Sequence, residues 1–167
     1  MSALWEHRDS LGDNGWYIFE AYTRELMMKP SLLLSCRKCC GKNDAEYSKY
    51  FDRTFGGCTK IRLVDDITKA ALTQSNVVFH SIRRQNKLID FIYMDSQNVV
   101  HAFQVTIGKE HSAKEADIRK LVAEIQGKTL MLYYLVIPPH FPEFVTSPVN
   151  PSISGCSIFH VLVPKPR

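Results

Sequence analysis

Two neighbouring strand-like segments contain polar side chains where apolar ones are expected. Residues 88–94 and 99–106 are rich in aliphatic and aromatic residues, yet the first includes Asp90 and the second includes Gln104. A polar group that is buried in a sheet needs a hydrogen-bond partner, and perturbed polar groups concentrate at functional sites. Asp90 and Gln104 are therefore the first candidates for chemistry in this chain.

The register of one hairpin decides whether this pair can meet. The polar residues between the two segments predict a turn, and opposed residues of a hairpin point to the same side of the sheet. If Asp95 pairs with Val99 across a three-residue loop, Asp90 faces Gln104. If the loop is one residue shorter, Asp90 faces Phe103 instead. Both registers remain open at this point.

An Asp, a hairpin and then a Glu- or Gln-x-Lys resemble the layout of the PD-(D/E)XK nucleases, in which acidic or amide oxygens hold Mg²⁺. The resemblance implies that Asp90 and Gln104 bind the metal and that Glu20 is the acid of the first helix. The bound ion would polarise a phosphodiester and lower the pKa of an attacking water. Thr106 stands where that family has its lysine, so Lys109 becomes the candidate catalytic lysine.

Glu20 lies within the apolar stripe of a predicted first helix that follows Gly15 and ends before Pro30. The stripe consists of Trp16, Phe19, Thr23, Leu26 and Met27. An acid on such a face either reaches the rim or pairs with a basic residue, or it belongs to a site. Both interpretations of Glu20 are retained.

The candidate cations have equally ordinary explanations. Arg83, Arg84 and Lys87 form a basic turn before the Asp90 strand, which predicts a contact with a phosphate backbone or merely a solvated loop. Lys109 follows Gly108 and is either a displaced catalytic lysine or an exposed residue at a strand end. Other possible donors lie on the next helix, namely Arg119 and Lys120.

Composition predicts one globular domain. The chain has 167 residues, is 45% hydrophobic and 23% charged, and has a formal charge of +4, which permits nucleic acid without requiring it. We find neither a signal peptide nor a membrane-spanning run, so we expect an intracellular protein, nuclear or cytoplasmic, with no membrane partner. The five cysteines fit a reducing compartment. Cys36 and Cys39, with Cys40 and Cys58, have the spacing of one zinc half-site, but no second paired half-site follows, so a zinc site is not expected.

The order of elements predicts an α/β fold with a mixed central sheet flanked by helices. We expect strands at 31–39, 60–64, 77–81 and 157–163, with Asp65 and Asp66 capping a short helix to about Leu72. Residues 112–125 form the clearest helix, with Ser112 and Glu115 as a capping box. This helix should connect two parallel strands, 99–107 and 129–137.

Seven ordered blocks resemble the C-terminal region of the retrotransposon hot spot proteins of trypanosomatids. They are CGK at 40–42, GGCTKIRLVDD at 56–66, NVVFHS at 76–81, LIDFIY at 88–93, HAFQVT at 101–106, LYYLV at 132–136 and CSIFHV at 156–161. The resemblance covers about 12–166, leaves 1–11 as an extension, and implies a restriction-endonuclease-like domain similar to those of crinkler-type effectors. In that family this domain usually follows a P-loop ATPase, and no P-loop motif occurs here, so nucleotide binding is not expected.

Two functions follow from this resemblance. One is a catalytically weak or inactive module that binds nucleic acid or proteins in nuclear transcription or chromatin assemblies, which the threonine at 106 favours. The alternative is a Mg²⁺-dependent nuclease acting on DNA or RNA, which Glu20, Asp90 and Gln104 favour. Serine or cysteine catalysis is less favoured because the histidines are scattered, and His101 alternates away from Gln104 as a structural residue.

Overall fold

The computed structural model describes residues 15–39, 49–81, 88–112, 114–138, 140–147 and 153–164, without the side chains of residues 15 and 16. In chain order the elements are α1 (Gly15–Met27), β1 (Leu32–Lys38), β2 (Tyr50–Phe55), β3 (Lys60–Val64), α2 (Ile67–Ala71), β4 (Val77–Ser81), β5 (Phe91–Met94), β6 (Val100–Thr106), β7 (Glu110–Ser112), α3 (Glu115–Glu124), β8 (Leu130–Val136), a 3₁₀ turn (Phe141–Glu143), β9 (Val145–Ser147) and β10 (Cys156–Leu162). None of the helices in these ranges is long and apolar enough to cross a membrane.

One eight-stranded mixed sheet organises the domain. Its strand order is β2-β1-β10-β8-β6-β5-β4-β3, and β7 pairs separately with β9. The pairs β3–β4, β6–β8 and β8–β10 are parallel, whereas the other neighbours in the large sheet are antiparallel. The predicted single α/β domain with a mixed central sheet is confirmed, as is the parallel pairing of the strands that α3 connects.

The sheet separates two apolar cores, because side chains alternate between its faces. We call the face covered by α1 the front, and the face covered by α2 and α3 the back. In β6, Phe103 and Val105 pack in the front core, whereas Val100 and Ala102 pack in the back core. Gln104 shares the side of Val100 and Ala102 by this alternation.

The stripe predicted for α1 is buried as expected. Phe19, Leu26 and Met27 enter the front core, and the Thr23 hydroxyl, also buried, donates to the carbonyl of Glu20 at 2.9 Å. The side chain of Trp16 lies outside the described part of the chain. The amphipathic pattern was sufficient to predict which residues of α1 are buried, because one wide helix face meets one continuous sheet face.

The predicted capping box at the start of α3 is wrong. Ser112 belongs to β7 and aligns with Ser147 of β9, and α3 begins only at Glu115, after an N-cap Lys114 that makes no side-chain cap bond. Because Lys114 is the N-cap, Ser112 lies two residues before the position that a capping-box serine must occupy. The N-cap predicted for the short helix α2 is confirmed, since the Asp66 side chain accepts a hydrogen bond from the Lys69 N–H at 3.0 Å.

Candidate functional site

The β5–β6 hairpin has the register that brings the candidate residues together. Phe91 is opposite Phe103, and continuing this alignment by one residue places Asp90 opposite Gln104. The Asp90 N–H donates to the Phe103 carbonyl at 2.7 Å, so the pairing extends past the start of β5. The first of the two registers considered from sequence is therefore confirmed.

Asp95 fixes this register through its own side chain. The Asp95 N–H donates to the Val99 carbonyl at 3.0 Å, and one carboxylate oxygen accepts from the N–H groups of Gln97 and Val99. Asn98 adopts a left-handed conformation with φ 62°, as three-residue hairpin loops require. The second Asp95 oxygen lies 2.9 Å from Nε2 of His101, which supports the structural role predicted for that histidine.

Asp90 uses one carboxylate oxygen to extend the ladder between β5 and β6. Its Oδ2 accepts from the Val105 N–H at 2.6 Å and from Nε2 of Gln104 at 2.8 Å. A side-chain oxygen thus occupies the place that a strand carbonyl would take opposite Val105. Two of the three residues predicted for the site are in direct contact.

One polar atom of Gln104 has no partner among the described residues. Its amide nitrogen donates to Asp90 and to the Val105 carbonyl, the latter at 3.2 Å. Its carbonyl oxygen, Oε1, is buried and receives no hydrogen bond from any residue in the described ranges. An unpaired buried acceptor is costly and uncommon, and it marks a position where a cation, a proton donor or water would be stabilised.

Glu20 lies on α1, which covers the front of the sheet, and is paired with two cationic groups. Its Oε1 lies 3.5 Å from Nη1 of Arg24 and contacts Nε2 of His80 on β4. Of the two interpretations of this buried acid, pairing with basic residues is the one that its contacts support. Arg24 could have been found from its i,i+4 spacing, whereas His80 could not, because it meets Glu20 only through the tertiary fold.

These groups perturb the carboxyl of Asp90. Burial raises the pKa of Asp90 to about 7, the Val105 N–H opposes that shift, and the charges of Glu20 and Arg24 raise and lower it respectively. Protonated and ionised forms are therefore both populated near neutral pH. The protonated form has an O–H to donate, and a half-turn of the Gln104 amide would present Oε1 to it.

The side chains as they stand do not complete a magnesium site. Oδ2 of Asp90 already has two donors and Oε1 of Glu20 is held by Arg24 and His80, while the buried Oε1 of Gln104 receives no hydrogen bond from any described residue and suits a cation. Within the described ranges no group of three or more His, Cys, Asp or Glu side chains is arranged to hold a metal ion.

The candidate lysine lies apart from this cluster. Thr106 is buried and its hydroxyl accepts from the Gly108 N–H at 3.3 Å, while Nζ of Lys109 is exposed and 3.8 Å from Glu143. Lys109 makes no contact with the Asp90 side chain in the part of the chain that is described, so its catalytic role stays a prediction. Arg119 and Lys120 pair along α3. The basic turn, Arg83, Arg84 and Lys87, falls outside the described residues.

A second buried polar cluster was missed from sequence. Arg37 of β1 donates from Nε to Nδ1 of His160 at 3.2 Å, and from its two Nη groups to the carbonyls of Pro142 and Phe144 at 3.1 and 2.6 Å. His160 also lies 3.3 Å from the Thr146 hydroxyl. Burial, aided by the Arg37 charge, lowers the pKa of His160 to about 3, which keeps the ring neutral.

The described cysteines behave as core residues. Cys36, Cys39 and Cys58 are buried free thiols, and burial raises the pKa of Cys36 and of Cys58 to about 12. Such thiols are poor nucleophiles at neutral pH. Cys40 lies outside the described ranges.

Comparison of the chain with known protein families, with curated protein sequences and with solved structures found no match. The interpretation of the site therefore rests on its own geometry.

Proposed function

We propose that this chain is a nuclease-like domain that binds nucleic acid and hydrolyses phosphodiesters very slowly or not at all. The observation that supports this proposal is that both candidate metal-binding carboxylates already have protein donors. Asp90 is bonded to Val105 and Gln104, and Glu20 is paired with Arg24 and His80. Mg²⁺ would have to compete with these donors for the charge and lone pairs of the carboxylates, so its affinity should be low.

The identity of the residue at position 106 supports the same proposal. A threonine cannot supply the positive charge that a lysine offers to an attacking water, and the hydroxyl of Thr106 is used by Gly108. Weak metal binding and the missing cation should each lower the rate by about 10² or more, which is about 3 kcal/mol of barrier apiece. Together they favour binding without efficient cleavage.

Nucleic acid is the partner that the basic turn favours. Arg83, Arg84 and Lys87 place three positive charges just before Asp90 in sequence, and the chain has a formal net charge of +4. The resemblance to retrotransposon hot spot proteins also supports a place in nuclear transcription or chromatin assemblies, where protein partners would accompany the nucleic acid.

One observation favours a second function, a Mg²⁺-dependent nuclease. Asp90 and Gln104 are side by side, Glu20 is close enough to raise the pKa of Asp90, and Oε1 of Gln104 has no donor among the described residues. A substrate that displaced His80 or Arg24 from Glu20 would free a second carboxylate. This alternative predicts measurable cleavage that depends on Asp90.

The test of the proposal is the salt dependence of DNA binding. A triple alanine variant of Arg83, Arg84 and Lys87 should bind a short duplex more weakly, and the slope of log affinity against log salt should fall by about 2 to 3. The matched control removes three cations elsewhere, at Lys114, Lys120 and Lys128, and should keep the wild-type slope. Equal slopes in the two triple variants, or no binding by the wild type at low salt, would contradict the proposal.

A further inference from the structure

β3 is an open edge of the large sheet. It is the last strand in the order and aligns in parallel with β4, from Lys60 with Val77 to Val64 with Ser81. No other strand among the described residues pairs with it. As far as the described residues go, the backbone groups on its outer side are therefore left for an added strand, which is the arrangement that edge-strand recognition uses.

The side chains of β3 are unusually exposed for a strand with this composition. Ile61 is 41% exposed and Leu63 is 63% exposed, and both lie on the front side, aligned with Val78 and His80. Protected edges normally avoid apolar residues, because these promote association with other strands. Leu63 is also aligned with His80, which contacts Glu20.

The opposite side of the same strand is positively charged. Lys60 and Arg62 alternate with the apolar pair, are exposed, and form no ion pair within the described residues. Side chains that are directly opposed across a strand pair interact, and opposite charges stabilise the pair. An incoming strand would therefore match β3 best with acidic residues on one side and apolar residues on the other.

A second copy of β3 does not meet this requirement. In an antiparallel pair of identical strands centred on Arg62, that residue would face its own copy, and pairing Lys60 with Arg62 would also oppose like charges. A shift by one residue would place charged side chains opposite apolar ones, and no register of two copies places a carboxylate of β3 opposite Lys60 or Arg62, because β3 contains no acidic residue. Charge complementarity thus selects a different molecule as the occupant.

We propose that β3 binds an extended segment of a protein partner in which acidic and apolar residues alternate, adding a ninth strand to the sheet. The partner's carboxylates face Lys60 and Arg62, and its apolar side chains cover Ile61 and Leu63. This proposal goes beyond nucleic-acid binding and does not depend on it, since the two surfaces use different residues.

The test uses three capped peptides of seven residues with the folded protein. A peptide alternating Glu and Val should bind and should slow amide hydrogen exchange in β3 by at least tenfold at saturation. A peptide alternating Glu and Pro has the same charge but lacks half of its N–H groups, and a peptide alternating Lys and Val has the opposite charge; neither should bind.

A matched pair of variants completes the test. Arg62→Glu should weaken binding of the Glu-Val peptide at least tenfold, whereas Lys114→Glu, an equal charge change at the start of α3, should leave it unchanged. The proposal is overturned by any of four results: no binding of the Glu-Val peptide, equal binding of the Glu-Pro peptide, equal loss in both variants, or a wild-type dimer in sedimentation that Arg62→Glu dissociates.

Discussion

Two buried polar clusters lie on the back of one sheet, and they differ in how completely their charges and hydrogen bonds are satisfied. We call Asp90 with Gln104 the Asp90 cluster, and Arg37 with His160 the Arg37 cluster. The alignment of β6, β8 and β10 places Gln104, Tyr134 and His160 in one row of residues across the sheet, so the two clusters lie at its two ends. Arg37 has three acceptors and a neutral histidine beside it. Asp90 has a raised pKa and a neighbour with an unpaired oxygen.

The difference separates a structural cluster from a candidate site. The three guanidinium bonds described for Arg37 go to Pro142 and Phe144, in and next to the 3₁₀ turn, and to His160 of β10, so the cluster holds that segment against the sheet. The carboxyl of Asp90 can change its protonation near neutral pH, and Oε1 of Gln104 has no donor among the described residues. Incomplete satisfaction, more than burial or residue type, is what marks a buried polar group as functional.

The largest effect on stability should come from removing Arg37. In Arg37→Met the carbonyls of Pro142 and Phe144 and Nδ1 of His160 lose their donor while staying buried, which should lower the free energy of unfolding by about 3 kcal/mol or more. Urea unfolding measures this change. Arg119→Met, at an exposed arginine paired with Glu115, is the control and should cost less than about 1 kcal/mol. Similar losses in both variants would remove the distinction between the clusters.

A smaller and pH-dependent effect is expected at Asp90. Its pKa is higher in the folded state than the ordinary value of 3.8, so the folded protein holds a proton that the unfolded chain has lost. The stability due to this group is present below about pH 4 and is lost as the pH rises towards 7. Asp90→Asn cannot ionise, and its side-chain amide, like the protonated carboxyl, offers a donor to Oε1 of Gln104 once the Gln104 amide has turned.

The variant should therefore gain stability over the wild type as the pH rises. Between pH 5 and pH 8 the difference in unfolding free energy should move by about 2 kcal/mol in favour of Asp90→Asn, given about 1.4 kcal/mol per pKa unit and the partial exposure of the group. Urea unfolding at the two pH values measures it. A constant difference would show that Asp90 is ionised throughout this range.

The sequence predicted one of these clusters and not the other, for a physical reason. Asp90 and Gln104 interrupt apolar strands, and Glu20 interrupts an apolar helix stripe, so alternation and periodicity expose all three. The partners of Arg37 are backbone carbonyls and residues more than a hundred positions away along the chain. No local pattern records such contacts.

Fold prediction failed where pairing between distant segments overrides local preference. The strand β2 was missed because its alternation is weak and it is defined by pairing with β1, and the same holds for the small β7–β9 sheet. Ser112 shows the conflict directly: its spacing to Glu115 is that of a capping box, but the ladder with β9 prevails. The hairpin register could only be narrowed to two choices, since the side chain of Asp95 decides between them.

The most direct test of the account measures binding and cleavage together. Wild type and Asp90→Ala are incubated with labelled single- and double-stranded DNA and RNA, with and without Mg²⁺, and bound and cleaved fractions are read from the same samples. We expect salt-sensitive binding by the wild type and no Mg²⁺-dependent cleavage above that of Asp90→Ala. Cleavage at an ordinary enzymatic rate that is lost in Asp90→Ala would contradict the account. If the single variant Lys109→Ala also loses that rate, Lys109 is identified as the displaced catalytic lysine.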